Sequence, residues 1–288
     1  MTTTSSSLPE TGSLRAGPFE LGYRIEGSGM PLLVIGSAAY YPSTFSKQLR
    51  QRTKLHFIDH RGFAPAHASY TRDDIGFDVV LDDIEWMRRH LGLDRFAVLG
   101  HSGHGYMALE YAKRHPQNIS HVIMVGTGPS HSAAHTALAD RRWEELVAPE
   151  RKAIFEREMA ELGTDIAARP EERFKSLLIR LGAKSWHLPA FDAAPLWRDV
   201  TVNNPVFDHL WGEVFRDIDI RDGLDRLAMP VLLALGQCDY LVAPAETWDA
   251  YRRDFPDLTV RMFEKSGHTP QLEESDLFDE TLLALLAR

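Results

Sequence analysis

The chain has 288 residues, 44% of them hydrophobic and 25% charged, a composition that excludes disordered, collagen-like and membrane-spanning classes. A net charge of −9 argues against a nucleic-acid backbone or a membrane surface as partner, because both are held through Lys and Arg. Cys238 is the one cysteine, so no intrachain disulfide framework can form, and packing in a cytoplasmic setting is expected to supply the stability.

Residues 1–16 are rich in Ser, Thr, Pro and Gly and are read as a disordered leader, without the basic and apolar regions of a secretion signal. Short apolar runs follow: PLLVIG from Pro31, KLHFID from Lys54, RFAVLG from Arg95, HVIMVG from His121, PVLLALG from Pro230 and TVRMFEK from Thr259. Continuous apolar runs of this length predict strands buried on both faces of a mostly parallel sheet. Between the second and third, Phe77, Val80, Leu81, Ile84, Met87 and Leu91 recur every three or four residues, predicting an amphipathic helix that ends near Gly92.

From 130 to 222 the strand pattern stops and helical spacing, broken by prolines, takes over. This predicts an α/β architecture in which 17–129 and 223–288 form the core, flanked by helices, and 130–222 is an inserted helical cap. Trp143, Trp186 and Trp211 lie in the cap and are candidate pocket residues, with packing as the alternative for each. An amphipathic helix from Asp276 closes the chain.

The strand RFAVLG runs directly into HSGHGYMALEYAKRH, which places Ser102 at a strand-to-helix turn with Gly100, Gly103 and Gly105 as the small neighbours such a turn needs. A serine there is raised above the sheet edge. The following helix points its amino end at any developing negative charge, which makes the Gly103 N–H a candidate oxyanion donor. A Gly-rich turn in a nucleotide-binding-type fold is the alternative.

The turn Gly100-His101-Ser102-Gly103-His104-Gly105 resembles the G-x-S-x-G elbow of the α/β-hydrolase family, except that His104 stands where the family has a small residue. The loop FEKSGHTPQLEES is similar to the family's histidine loop, and Asp239 follows the strand where the family places its acid. Asp59-His60-Arg61-Gly62 resembles the Asp-x-Arg-Gly turn of proline-iminopeptidase-like members, where it is architectural. The resemblance runs from about Phe19 to the C-terminus and implies Ser102 as nucleophile, His268 as general base and Asp239 as the group orienting that base, in the chain order of this fold. Asp217, Asp219 and Asp222 are rival acids, although they precede the strand.

The resemblance also places a second oxyanion donor in the loop after the first apolar strand, here Gly36-Ser37-Ala38-Ala39-Tyr40-Tyr41, with Ala38 N–H preferred over Ser37 N–H. Tyr40, Tyr41 and His104 are candidate substrate contacts or packing residues. Glu144 and Glu145 are read as a solvated face paired with Arg141 and Arg142 rather than as ligands for a substrate ammonium group. His131 and His135, four apart, lack an HExxH pattern and are not read as metal ligands. The implied reaction is cofactor-free hydrolysis of a hydrophobic small-molecule ester, lactone or amide. The alternatives are a prolyl aminopeptidase, a ligand-binding or signalling protein, or a cofactor-independent lyase or oxygenase on the same fold.

Overall fold

A computed structural model describes residues 8–288. The eight strands are β1 (Glu10–Ala16), β2 (Phe19–Gly27), β3 (Met30–Gly36), β4 (Thr53–Asp59), β5 (Phe96–His101), β6 (Ile119–Val125), β7 (Val231–Gly236) and β8 (Leu258–Phe263). They form one sheet in the order β1-β2-β4-β3-β5-β6-β7-β8, antiparallel at the β1 and β2 end and parallel from β4 to β8. The six expected runs are the six parallel strands.

Alternate residues of these strands feed two cores. Leu33, Ile35, Val98 and Met124 pack on one face, and Leu32, Val34, Leu99 and Val125 on the other. Burial on both faces is why the runs of β3, β5, β6 and β7 are continuously apolar, whereas β8, at the sheet edge, alternates with Thr259 and Arg261 exposed. The first face is covered by α1 (Phe77–His90), through Val80, Leu81, Ile84 and Met87, and by α2 (His104–Arg114).

Six helices lie between β6 and β7: α3 (Ala133–Leu146), α4 (Pro149–Ala168), α5 (Arg173–Arg180), α6 (Gly182–Ser185), α7 (Asn204–His209) and α8 (Phe215–Asp217), with a π-helical turn at Leu210–Val214 joining the last two. Two helices close the chain, α9 (Pro270–Glu273) and α10 (Ser275–Leu286), the latter packing Phe278, Leu282 and Leu285 on the second face.

The leader expectation needs correction. Residues 10–16 are β1, hydrogen-bonded antiparallel to β2 from Glu10↔Ile25 to Ala16↔Phe19. Six of its seven side chains are not buried, so hydrophobic patterning carried no sign of the strand, and main-chain pairing is what holds it. Residues 1–7, the rest of that expectation, lie outside the described residues.

His56 sits on β4 between Ile25 of β2 and Leu33 of β3, 2% exposed, with a buried Nδ1 that has no partner among the described residues. Burial, helped by Lys54, holds its pKa down at about 4. The unfolded chain therefore takes up this proton first. Its contribution to stability is complete above the unfolded pKa of about 6.5 and is lost as pH falls towards 4. His56→Leu removes this linkage. In urea denaturation the variant is expected to gain on the wild type by at most about 1.4 kcal/mol per pH unit between about pH 6.5 and 4. Parallel stability curves across that window would contradict the assignment.

Candidate active site

Ser102 is the only non-glycine residue with positive φ among those described, at 59°. Such a conformation costs of order 1–3 kcal/mol and persists only when its surroundings over-determine it. The surroundings here are tight. A Cβ on Gly100 would overlap the carbonyl of His104, one on Gly105 would overlap Thr127, and one on Gly103 would overlap the Trp211 ring. Ser102 N–H is held by Val125 O at 2.7 Å, and Thr127 Oγ1 donates to Ser102 O at 2.9 Å. The departure from the family pattern at His104 is thereby explained. The close approach needs a bare glycine at 100, facing the backbone of 104, and the His104 side chain turns into the interior.

Asp239 and His268 come from the loops after β7 and β8. Gly236 ends β7 without room for a Cβ, because the main chain of Ser266 and Gly267 lies against it. Asp239, 2% exposed, accepts from His268 Nδ1 at 2.7 Å through Oδ2 and from Leu241 N–H at 3.0 Å through Oδ1. A carboxylate only accepts, so Nδ1 carries a proton, and in the neutral ring the lone pair is on Nε2. His268 and Ser102 line one cavity. None of the rival acids, Asp217, Asp219 and Asp222, makes this contact: the first two pair with Arg216 and Arg221.

The helical insertion grips both loops. Arg142 on α3 donates to Asp239 O at 2.8 Å and also to Gln237 O. His268 N–H donates to Ser185 O at 2.5 Å. Glu273 accepts from Gly267 N–H at 2.9 Å and Thr269 N–H at 3.2 Å, on either side of His268, and from His187 N–H at 2.6 Å. Arg142 was expected to pair with the Glu144–Glu145 face. Instead Glu144 pairs with Lys152 at 2.6 Å, and the guanidinium reaches across to the acid loop.

The oxyanion expectation divides. The Gly103 N–H opens α2 and makes no hydrogen bond among the described residues. The Ala38 N–H is already committed to Asp59 Oδ1 at 2.7 Å, and the next N–H groups of that loop, of Ala39, Tyr40 and Tyr41, are each taken by Ser37. Asp59 is half-buried, and its desolvation lifts its pKa to about 7 against the two N–H groups it accepts, from Ala38 and Gly22. Arg61 is architectural. Its fork holds Asp83 at 2.5 and 2.9 Å, with a further bond to Asp74 O.

The cavity above Ser102 has a volume of about 220 Å³. Tyr40, Tyr41, His104, Trp186 and Trp211 line it. Trp143 does not. It is buried away from the cavity with Val147 and Ala183, ringed by Phe155 and Tyr240, and Lys184 Nζ sits 5.2 Å over its ring. Lining residues that the sequence did not single out as site candidates include Phe63, Phe174 and His131. Phe63 follows the Asp59–Gly62 turn directly, which is the one available signal for it. Among the described residues no cluster suited to a metal ion occurs.

A model of the alpha/beta hydrolase fold matches residues 29–275. The chain is 44% identical over 263 residues to the AB hydrolase superfamily protein YclE of Bacillus subtilis (strain 168), covering 91% of this chain and 94% of that one. It is 23% identical to the pimeloyl-[acyl-carrier protein] methyl ester esterase of Citrobacter koseri, over 92% and 98% of the two chains. The solved proline iminopeptidase of Mycobacterium smegmatis superposes with a TM-score of 0.72 at 17% identity, over 96% and 98% of the two chains. The reach of the family model and the full-length likeness to YclE together make this chain a member of the α/β-hydrolase family.

Proposed function

We propose that the protein is a serine hydrolase that cleaves an ester or lactone of a small, uncharged, hydrophobic molecule through an acyl-enzyme on Ser102. The observation that carries the reading is the His268–Asp239 hydrogen bond of 2.7 Å beside a strained serine at the floor of an aromatic cavity. In this mechanism Ser102 Oγ attacks the carbonyl carbon while His268 Nε2 takes its proton. Asp239 stabilises the imidazolium that results, and the Gly103 N–H with the amino end of α2 faces the new oxyanion. Collapse expels the leaving alcohol, which takes the proton from His268. Water then repeats the sequence on the acyl-enzyme.

Substrate class follows from the walls. No Asp, Glu, Lys or Arg lines the cavity, and about 220 Å³ lies below the roughly 300–1,000 Å³ of sites for drug-sized ligands. A substrate ammonium group, as on a prolyl peptide, would find no carboxylate there, and burying an unpaired charge is costly. That weighs for the ester reading over the aminopeptidase.

A fluorophosphonate probe is expected to label the wild type and not Ser102→Ala. On short-chain aryl esters kcat should fall by on the order of 10⁶ in Ser102→Ala and about 10⁴ in Asp239→Asn. Labelling that persists in Ser102→Ala, or prolyl-amide turnover that outpaces ester turnover, would overturn the reading. The cavity walls give a second test. Trp186→Ala is expected to raise KM by about tenfold, whereas Trp143→Phe, outside the cavity, leaves KM within about twofold. Equal effects of the two substitutions would contradict the assigned lining.

A further inference from the structure

Three histidines and a tyrosine with no part in the proton transfers above are buried together beside Ser102. His60 Nδ1 accepts from Gly62 N–H at 3.0 Å. His60 Nε2 lies 3.0 Å from His104 Nε2. His104 Nδ1 is 2.8 Å from His101 O and 3.0 Å from Tyr41 Oη. Tyr41 Oη is 3.1 Å from His101 Nδ1, and His101 Nε2 is 2.7 Å from the main-chain oxygen of His268.

These contacts admit one arrangement of protons. A carbonyl only accepts, so His101 carries its proton on Nε2, and its Nδ1 must accept from the Tyr41 hydroxyl. His104 faces His101 O with Nδ1, so its proton is there, shared with Tyr41 Oη, and its Nε2 must accept. His60 spends its Nδ1 lone pair on Gly62 N–H, so Nε2 carries the proton that His104 needs. Every donor meets an acceptor and none is left over. Burial holds all three rings below the ordinary histidine range, His104 at about 4, and holds the Tyr41 hydroxyl well above its own, so each group stays in the neutral form this pattern demands.

Resting on the hydrolase reading above, we propose that His60, His104, Tyr41 and His101 form a one-way hydrogen-bond chain that positions the main chain of His268, and with it the general base, relative to Ser102. The chain starts at the Asp59–Gly62 turn, crosses the elbow on both sides of Ser102 and ends on the base residue. It ties together four loops, Tyr41 bringing in the one after β3. The His101 end is decisive, because it is the one link that touches His268. These are positioning residues; none exchanges a proton with substrate.

Asparagine and glutamine separate the two ends of the His101 ring. His101→Asn puts an amide oxygen near the old Nδ1, keeping an acceptor for Tyr41 but losing the reach to His268. His101→Gln puts an amide nitrogen near the old Nε2 and restores the donor to His268 O. His101→Asn is expected to lower kcat on esters by at least about tenfold with KM within about twofold, and His101→Gln to recover most of that loss. Equal kcat in the two variants would overturn the positioning role. Nitrogen-15 spectra of histidine-labelled wild type at neutral pH give a check that needs no turnover: His60 and His101 as the Nε2–H tautomer and His104 as the Nδ1–H tautomer. Any other tautomer set overturns the chain while leaving the hydrolase reading intact. Loss of phosphonate labelling with that tautomer set in place would strike the hydrolase reading alone.

Discussion

The site depends on main-chain atoms meeting at the carboxyl edge of the sheet with no side chain between them. Strands β3, β5 and β7 each reach that edge at or beside a glycine, Gly36, Gly100 and Gly236, and Gly126 follows β6. At each of them an added Cβ would crowd a site loop: the Tyr41 ring at 36, the elbow backbone at 100, His268 at 126 and the histidine loop at 236. The returning loops can therefore lie directly on the strand ends. That close approach brings a serine after β5, a carboxylate after β7 and an imidazole after β8 above a single stretch of sheet edge. The positive φ at Ser102 is a local cost of the same crowding, sustained because Val125 and Thr127 on the neighbouring segment hold its backbone at N–H and C=O.

The helices between β6 and β7 are bound into this arrangement. Ser185 O takes the His268 N–H, Glu273 joins His187 to the flanks of His268, and Arg142 spans from α3 to the carbonyls of the acid loop. The same helical segment supplies Trp186, Trp197, Phe207 and Trp211 to the cavity wall. Walls and base thus share supports. A change in how the insertion packs would shift the pocket and the His268–Asp239 pair together, and under the proposed mechanism would couple substrate preference to base alignment.

What the sequence made legible tracks burial and local order. Strands β3, β5, β6 and β7 are largely buried on both faces, β8 alternates, and α1 shows one apolar stripe, so pattern alone locates them. β1 is held by main-chain bonds with mostly exposed side chains and left no pattern to read. The elbow is a local string and could be read locally. The fate of Ala38 N–H could not, because its acceptor Asp59 lies 21 positions away and nothing in the loop announces it. Trp143 and Trp186 look alike as letters in a helical stretch, yet one packs on Tyr240 and Phe155 while the other faces the cavity. The histidine cluster is hidden for the same reason as Ala38: His60 and His104 meet across 44 positions of chain, and only the fold brings them together.

The electrostatics of the cavity favour chemistry that develops charge over substrates that bring it. Its histidines His101, His104 and His131 are held neutral by burial, and among the described residues no Asp, Glu, Lys or Arg lines the wall. In so apolar a space, a charge created during reaction interacts strongly with whatever dipoles are fixed in place, and a charge carried in from water forfeits its hydration. The fixed dipoles here are the amino end of α2 at Gly103 and the His268–Asp239 pair, one suited to a nascent oxyanion and the other to a nascent imidazolium. An uncharged ester develops both charges together in the transition state and neither before it. In the proposed ester hydrolysis, the same walls that disfavour an incoming ammonium would strengthen the interactions made only while the acyl bond is breaking.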